Sequence, residues 1–360
     1  MLHCNKTKYR GVSAHCKRYL VRCSKIELLT KYNCQNLSDS SRKAGQAMVA
    51  AMLAFHSDAH SLLLPPGHPF PQSKYRRLRE HFEAQPGLLR MQAATPATEG
   101  ELALAHTPNY VDAVIYGHLS PAQQREIGFP WSESMAARSL HSVGASIAAA
   151  RAALAEGVAA NMAGGTHHAY ADKGSGYCVF NDVAVAARLM QAEWHRQHRQ
   201  LLRVLVIDLD VHQGNGTAAI FKDDDSVFTF SMHGAKNFPF RKEPSDLDVE
   251  LPDGCGDDQY LAALDVALAQ VWQATEPGLV FYLAGADPHE GDRLGRLKLT
   301  TEGMLARDRR VLDDLRARRI PVALSMAGGY GRDLATTVAV QINTLTEAAR
   351  SWAGMNDRLA

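Results

Sequence analysis

The sequence predicts an α/β fold in which a central, mostly parallel sheet lies between two layers of helices. The chain has 360 residues, 46% of them hydrophobic and 21% charged, which suits a globular protein with a large core. Short apolar segments bounded by Gly, Pro or Asp alternate with long amphipathic segments. The short segments are apolar at nearly every position, as is typical of strands buried on both faces of a parallel sheet.

The elements follow in order along the chain. The predicted strands are residues 53–55, 158–163, 203–209, 227–232, 279–284 and 320–326. Between them, Ala and Leu recur at helical spacing. The predicted helices are residues 134–156, 181–199, 258–274 and 302–318. No linker, repeat or low-complexity segment divides residues 52–355, so we expect one domain there.

Residues 1–51 differ from the rest of the chain, and we expect a basic, Cys-containing extension outside the core. Residues 1–45 hold ten Lys/Arg and two Asp/Glu, whereas the remainder holds 29 and 36. A metal knot is disfavoured because the cysteines lack C-x-x-C pairs. A signal peptide is disfavoured because no small-residue cleavage site follows its short apolar run. The cysteines of this extension are Cys4, Cys16, Cys23 and Cys34.

Composition also limits which partners and which cellular compartment are expected. The weakly polar residues 44–55 are too few to cross a bilayer, so no membrane span is expected. Cys178 and Cys255 alone remain in about 300 residues, which fits a reducing compartment and predicts a cytoplasmic location, or a nuclear one in a eukaryote. Nucleic-acid binding would depend on the basic extension alone, and such charge runs are usually solvated tails, so none is expected.

Polar side chains cluster where four predicted strands stop. In α/β folds, ligands bind outside the carboxyl ends of parallel strands. The segments "NMAGGTHHAY", "VLVIDLDVHQGNG", "LVFYLAGADPHEGD" and "VALSMAGGYG" each end in such groups. The side chains at these ends are His167 and His168, Asp208 with Asp210 and His212, Asp287, and Tyr330.

The alternation of Asp208, Asp210 and His212 predicts a metal site. Residues two apart in a strand point to the same side, and burying several such groups is costly unless something neutralises them. Asp210, His212 and Asp287 can supply three ligands to a divalent metal and leave a position open for water, which is the form of a catalytic site. The same donors also accept Fe(II), Co(II) or Mn(II).

Each residue has an ordinary structural interpretation when it is taken alone. An Asp at a strand end usually caps a turn or helix, so Asp208 and Asp287 can be capping residues. His167 and His168 can be a surface pair, and Tyr330 a half-buried tyrosine. The coincidence of all four polar strand ends favours a functional site.

Five motifs, in this order, closely resemble the histone deacetylase superfamily: "GGTHHA", "GSGYCVFND", "DLDVHQGNG", "GADPHEGDRLG" and "AGGYG". The resemblance covers about residues 52–350 and is greatest to the class IV branch and to bacterial histone deacetylase-like amidohydrolases. It implies an arginase/deacetylase-like three-layer fold, with residues 52–355 as the catalytic domain. The implied reaction is zinc-dependent hydrolysis of the amide of N-acyl-lysine.

The resemblance implies that Asp210, His212 and Asp287 hold one Zn²⁺, the same three residues that the spacing indicates. Tyr330 matches the hydroxyl donor to the substrate carbonyl and to the oxyanion of the tetrahedral intermediate. Gly176 lies where the backbone approaches the substrate.

Among the polar groups, His168 matches the general base, His167 its electrostatic partner, and Asp208 the carboxylate that holds His167. Asn215 occupies the position that orients His168. Because Asn is neutral, His168 lacks the pKa elevation that a carboxylate would give.

Three further features follow from the resemblance. Tyr177 and Phe238 match the aromatic walls around the lysine stem, although the family usually has Phe where Tyr177 stands. Pro71 stands where many relatives have arginine, which puts that arginine's role in product exit in doubt. A structural K⁺ ion is implied at Asp208, Asp210, His212, Ser231 and Met232.

The substrate stays open between two classes. One is acyl-lysine in proteins, with acetyl or, as the class IV resemblance implies, a fatty acyl group that needs an apolar channel beyond the metal. The alternative is a small acylated amine such as an acetylpolyamine. A binding module with a spent site is disfavoured because no ligand, base or tyrosine is missing.

Overall fold

A computed structural model describes residues 51–356 of the chain. Its centre is a sheet of eight strands in which every neighbouring pair is parallel. The strands are β1 (Met52–His56), β2 (Leu89–Ala93), β3 (Val158–Asn161), β4 (Val204–Asp208), β5 (Val227–Gly234), β6 (Leu247–Leu251), β7 (Leu279–Leu283) and β8 (Val322–Ser325). Their order across the sheet is β2-β1-β3-β8-β7-β4-β5-β6, which confirms the predicted fold class.

Ten helices complete this part of the chain. They are α1 (Ser73–Glu83), α2 (Glu99–Leu102), α3 (Pro108–Ile115), α4 (Pro121–Ile127), α5 (Glu133–Glu156), α6 (Asp182–His198), α7 (Asn215–Phe221), α8 (Asp257–Ala274), α9 (Thr301–Arg318) and α10 (Leu334–Asn356). The four predicted helices correspond to α5, α6, α8 and α9. The predicted extension lies outside the described residues except for residue 51.

The sheet has a hydrophobic layer on each face because its strands are apolar at successive positions. In β4, Val204 and Val206 pack with α5 and α6 on one face. Leu205 and Ile207 point to the other face and pack with α8, α9 and α10. Fully burying one such side chain contributes about 1.5–3 kcal/mol, so these alternating contacts hold the three layers together.

Two strands and six helices were not predicted. Strands β2 and β6 lie at the two edges of the sheet, where exposed positions such as Arg90, Asp248 and Glu250 interrupt the apolar run. Edge strands therefore lack the pattern that identifies central ones. No helix within residues 51–356 has both the length and the hydrophobicity needed to cross a bilayer.

The topology brings the functional loops together. Strands β3, β8, β7 and β4 are consecutive neighbours, and all run in the same direction. The loops that follow them therefore meet at one edge of the sheet, and these are the loops that carry the polar strand-end residues.

Candidate active site

Asp210, His212 and Asp287 form a buried cluster, in which one ligand atom from each residue lies within 4.8 Å of the other two. Backbone amides fix the loops that carry them. Val211 N donates to Asp287 Oδ1 over 2.9 Å, which ties the end of β4 to the end of β7. His212 N donates to Asp210 Oδ1 over 3.0 Å.

The chemistry of this cluster fits a divalent metal. Asp287 Oδ2 is buried and accepts no hydrogen bond, although His212 Nδ1 lies 3.2 Å away. Burial and the adjacent Asp210 carboxylate raise the pKa of Asp287 to about 7. Two carboxylates and an imidazole in a dry site need a neutralising cation, and O and N donors of this kind suit zinc and related metals.

Gly328 shapes the wall of the cluster. Its amide donates to Asp210 Oδ2 over 2.7 Å. A Cβ at this position would lie 2.0 Å from Asp287 Oδ2 and 2.5 Å from Asp210 Oδ2. Only a residue without a side chain therefore leaves room for both carboxylates.

His168 is held with one ring nitrogen available for chemistry. Its Nδ1 lies 2.7 Å from Asn215 Oδ1, and Asn215 Nδ2 donates to the Tyr170 hydroxyl over 2.9 Å. This arrangement makes Nδ1–H the donor and leaves Nε2 with its lone pair. Burial, together with the charges of His167 and His212, keeps the pKa of His168 well below its ordinary value, so the ring is neutral near pH 7.

His167 has the opposite electrostatic character. Its Nδ1 lies 2.6 Å from Asp208 Oδ2, and its ring centroid is 4.1 Å from that of His168. Burial lowers the pKa of His167, but the carboxylates of Asp208 and Asp210 outweigh burial and raise this pKa to about 9. Adjacent groups whose pKa values are driven apart in this way are typical of acid–base sites.

Tyr330 is buried beside the cluster, with its ring centroid 6.4 Å from that of His212. Its amide donates to Asp292 Oδ2 over 2.6 Å, and Arg293 Nε donates to its carbonyl over 2.9 Å. Burial, followed by the nearby Asp210 carboxylate, raises the pKa of Tyr330 well above its usual value. The hydroxyl therefore keeps its proton and can act as a hydrogen-bond donor.

Lys74 is a residue of this site that the sequence did not reveal. Its side chain is buried, and Nζ donates to the carbonyls of Ala327 and Gly329 over 3.2 and 3.3 Å. It thereby supports the glycine turn that leads to Tyr330, from a position three residues after Pro71. A lysine that opens an amphipathic helix gives no sequence signal that its cation is buried.

Two cavities meet at these side chains. The inner cavity has a volume of about 70 Å³ and contacts His167, His168, Asp210, His212 and Tyr330. Beyond them, its lining includes Phe70, Tyr75, Arg138, Ser139 and Ser142. The outer cavity, which we call the mouth, has a volume of about 620 Å³ and opens to solvent. The mouth is lined by Arg125, Glu126, Ile127, Gly128, His168, Ser175, Gly176, Tyr177, His212, Lys236, Asn237, Phe238, Phe240, Leu294, Arg296 and Tyr330.

The residues predicted to contact the substrate all line the mouth. Gly176 has a φ of +53°, and a Cβ there would lie 2.7 Å from His168 Cδ2 and 2.9 Å from Phe238 Cε1. Tyr177 stacks on Phe129, with the ring centroids 5.3 Å apart. The backbone at Gly176 is therefore exposed to a ligand between aromatic side chains.

The residues of the implied K⁺ site lie on β4, on β5 and in the turn after β4. Asp208 and Ser231 are partners in the β4–β5 register, and Met232 follows in β5. Ser231 Oγ lies 2.9 Å from Nδ1 of His233. His233 was not among the predicted site residues. Nε2 of His233 is buried without a hydrogen-bond partner. The identity of an ion at this position stays a prediction.

Comparisons with known proteins point to one family. The sequence profile of the histone deacetylase domain matches residues 68–345. An uncharacterised protein of Picosynechococcus is 44% identical over 284 residues, which cover 78% of this chain and 93% of that protein. Histone deacetylase 2 of Arabidopsis thaliana is 32% identical over 299 residues, which cover 78% and 74% of the two chains. The crystal structure of an HDAC homolog from Aquifex aeolicus matches with a TM-score of 0.69 and 25% identity, over 83% of this chain and 84% of that one.

Proposed function

The chain belongs to the histone deacetylase family of hydrolases, and from this we propose that it hydrolyses the amide of N-acyl-lysine in proteins, with Zn²⁺ held by Asp210, His212 and Asp287. One observation carries the proposal. Two residues of the metal-type cluster, Asp210 and His212, line one cavity together with a neutral histidine that has a free ring nitrogen and with Tyr330.

Each polar residue has a part in the proposed reaction. A divalent metal would polarise the scissile carbonyl and acidify the attacking water. His168 Nε2 takes the proton of that water, because Asn215 holds its other nitrogen as a donor. The Tyr330 hydroxyl donates to the carbonyl oxygen as negative charge develops there. The histidine that has gained the proton then passes it to the leaving amine.

The inner cavity supports a short acyl group. One water-sized probe needs roughly 10–15 Å³ of such volume, so a cavity of about 70 Å³ has room for a handful of heavy atoms. A myristoyl chain is several times longer than an acyl group of that size. Arg138, Ser139 and Ser142 also place polar groups in the lining, beside apolar side chains such as Phe70, and a methylene gains its ~0.8 kcal/mol only from apolar surroundings. We therefore propose acetyl and other short acyl groups, in place of the fatty acyl groups that the class IV resemblance implies.

The mouth gives little support to an acetylpolyamine as substrate. Its lining carries the cations Arg125, Lys236 and Arg296, and Glu126 is the carboxylate among the lining side chains. Glu126 is paired with Lys173 over 2.7 Å. The free amines of a polyamine would meet like charges there.

One experiment tests the reaction and the substrate together. The protein is loaded with zinc, and kcat/KM is measured on one lysine peptide that carries an acetyl, octanoyl or myristoyl group, and on acetylspermine. We expect the highest value for the acetyl peptide. A rise with chain length would favour fatty acyl groups, and an optimum at acetylspermine would favour small amines.

The same assay tests the metal. Chelation should abolish hydrolysis, and zinc or cobalt should restore it. Asp287→Asn should bind less zinc, whereas Asp265→Asn, on the exposed side of α8, should bind about one equivalent like the parent protein. Full activity in a sample shown to be metal-free would contradict the proposed mechanism.

A further inference from the structure

The charge of the mouth is opposite to that of the chain around it. Residues 46–360 hold 29 Lys/Arg and 36 Asp/Glu, an excess of negative charge. At the mouth, Lys236 and Arg296 share the single carboxylate of Asp253, with N–O distances of 3.8 and 3.1 Å. The mouth is thus a basic surface on an otherwise acidic domain.

Arg125 adds a cation without a counterion. It is exposed near the end of α4, and it forms no ion pair with any residue of the described part of the chain. Its neighbour Glu126 is already neutralised by Lys173. The lining and the residues paired with it therefore contain four cations against two carboxylates, which gives them a net charge of +2.

The mouth also presents exposed apolar side chains. Phe240 is 86% exposed and Leu294 is 41% exposed, and both line this cavity. Phe238 lies between the active site and Phe240, and its ring centroid is 6.3 Å from that of Phe240. The volume of about 620 Å³ is that of a site for a whole ligand, so the mouth has room for residues on either side of a lysine stem.

We infer that the partner at the mouth is a peptide segment in which acidic residues flank the acyl-lysine and an apolar residue packs on Phe240 and Leu294. The inference rests on the proposed function, because the acyl-lysine stem must enter between Tyr177 and Phe238. Charge complementarity selects the flanking residues, since the excess positive charge of the mouth attracts an acidic neighbour and repels a basic one. The exposed aromatic ring supplies the apolar contact.

The test compares three acetyl-lysine peptides that differ only in the two flanking residues on each side, which are Asp/Glu, Asn/Gln or Arg. At low ionic strength, kcat/KM should be about tenfold higher for the acidic peptide than for the basic one. This ratio should shrink to roughly two- to threefold at 0.5 M salt, because exposed charge pairs are screened. In the acidic peptide, replacing a Leu placed just beyond the flanking residues by Ser should lower kcat/KM in the parent protein, but not in Phe240→Ser.

Charge-reversal variants locate the effect. Arg125→Glu should lower the acidic-to-basic ratio by about fivefold or more. The matched control is Arg196→Glu, which changes the net charge equally at an exposed position near the far end of α6, roughly 20 Å along that helix from Asp182. Its ratio should equal that of the parent. Equal kcat/KM for the three peptides, or a ratio unchanged in Arg125→Glu, would overturn the inference.

Peptide binding separates this inference from the proposed reaction. The same peptides are titrated against the His168→Ala variant, with fluorescence anisotropy as the readout. Tighter binding of the acidic peptide would support the inference even if hydrolysis were absent and the proposed function had failed. Tighter binding of the basic peptide would overturn it even if all three peptides were hydrolysed by the parent protein.

Discussion

At the scale of single residues, the sequence predicted those parts of the site whose geometry depends on residues that are close together in the chain. Asp208, Asp210 and His212 alternate at a strand end, so their proximity follows from the period of a β-strand. Tyr170 and Lys74 were not predicted, because their contacts with Asn215 and with the Gly329 carbonyl join distant parts of the chain. No local pattern records such contacts.

Tyr330 is the residue whose proposed role is easiest to isolate. Tyr330→Phe removes one hydroxyl and keeps the ring that packs against Tyr177 and Phe70. We expect kcat to fall by about 10²–10³, as it does when one oxyanion donor is lost, with little change in the free energy of unfolding. The measurement is kcat on the acetyl-lysine peptide with zinc-loaded protein.

The matched control is Tyr116→Phe, which removes an exposed hydroxyl bonded to Glu99 Oε1. Its kcat should equal that of the parent protein. If Tyr330→Phe kept the parent kcat, the hydroxyl would have no part in stabilising the transition state.

At the scale of elements, the ends of β4 and β7 are joined by a buried arginine of α9. Arg307 Nη1 donates to the carbonyls of Leu209 and Gly285, each within two residues of a proposed metal ligand. The guanidinium is paired with Asp308, which also accepts a hydrogen bond from Tyr282. In the sequence, Arg307 and Asp308 stand among other charged residues of α9. The helical periodicity alone therefore does not distinguish these two buried residues from those that face solvent.

Arg307→Met tests this connection. The substitution leaves Asp308 buried without its cation, and we expect the free energy of unfolding to fall by about 3–5 kcal/mol. The stability is measured by urea unfolding. Zinc affinity, measured by competition with a chelator, should also weaken, because the carbonyls beside the ligands lose their donor.

Arg316→Met is the control on the same helix, since Arg316 is half exposed and pairs with the exposed carboxylate of Asp313. Breaking that surface pair should cost no more than about 1 kcal/mol. Equal losses in the two variants would show that Arg307 contributes no more than a surface arginine does.

At the scale of the whole molecule, the predicted layers are present because the central strands and the long helices each carry an unbroken apolar pattern. The edge strands β2 and β6 were not predicted, because each has a neighbouring strand on one side only and therefore lacks the continuous apolar pattern of a central strand. The buried position of β1 bears on where a shortened chain can begin. Met52 is fully buried, and its amide donates to the carbonyl of Leu88 over 3.2 Å, so β1 needs residues before it to avoid a charged terminus in the sheet.

A shortened chain tests the prediction that the basic extension is dispensable. A chain that starts at Met48 keeps all of β1, and we expect its Tm to lie within about 2 °C of the parent and its kcat/KM to be unchanged. A chain that starts at Ala54 lacks the buried side chains of Met52 and Leu53, and losing even one such side chain costs about 2–5 kcal/mol, so its Tm should be clearly lower. Thermal unfolding of both chains beside the parent gives the comparison. If the chain from Met48 also lost stability or activity, residues 1–47 would have to be counted as part of the catalytic domain.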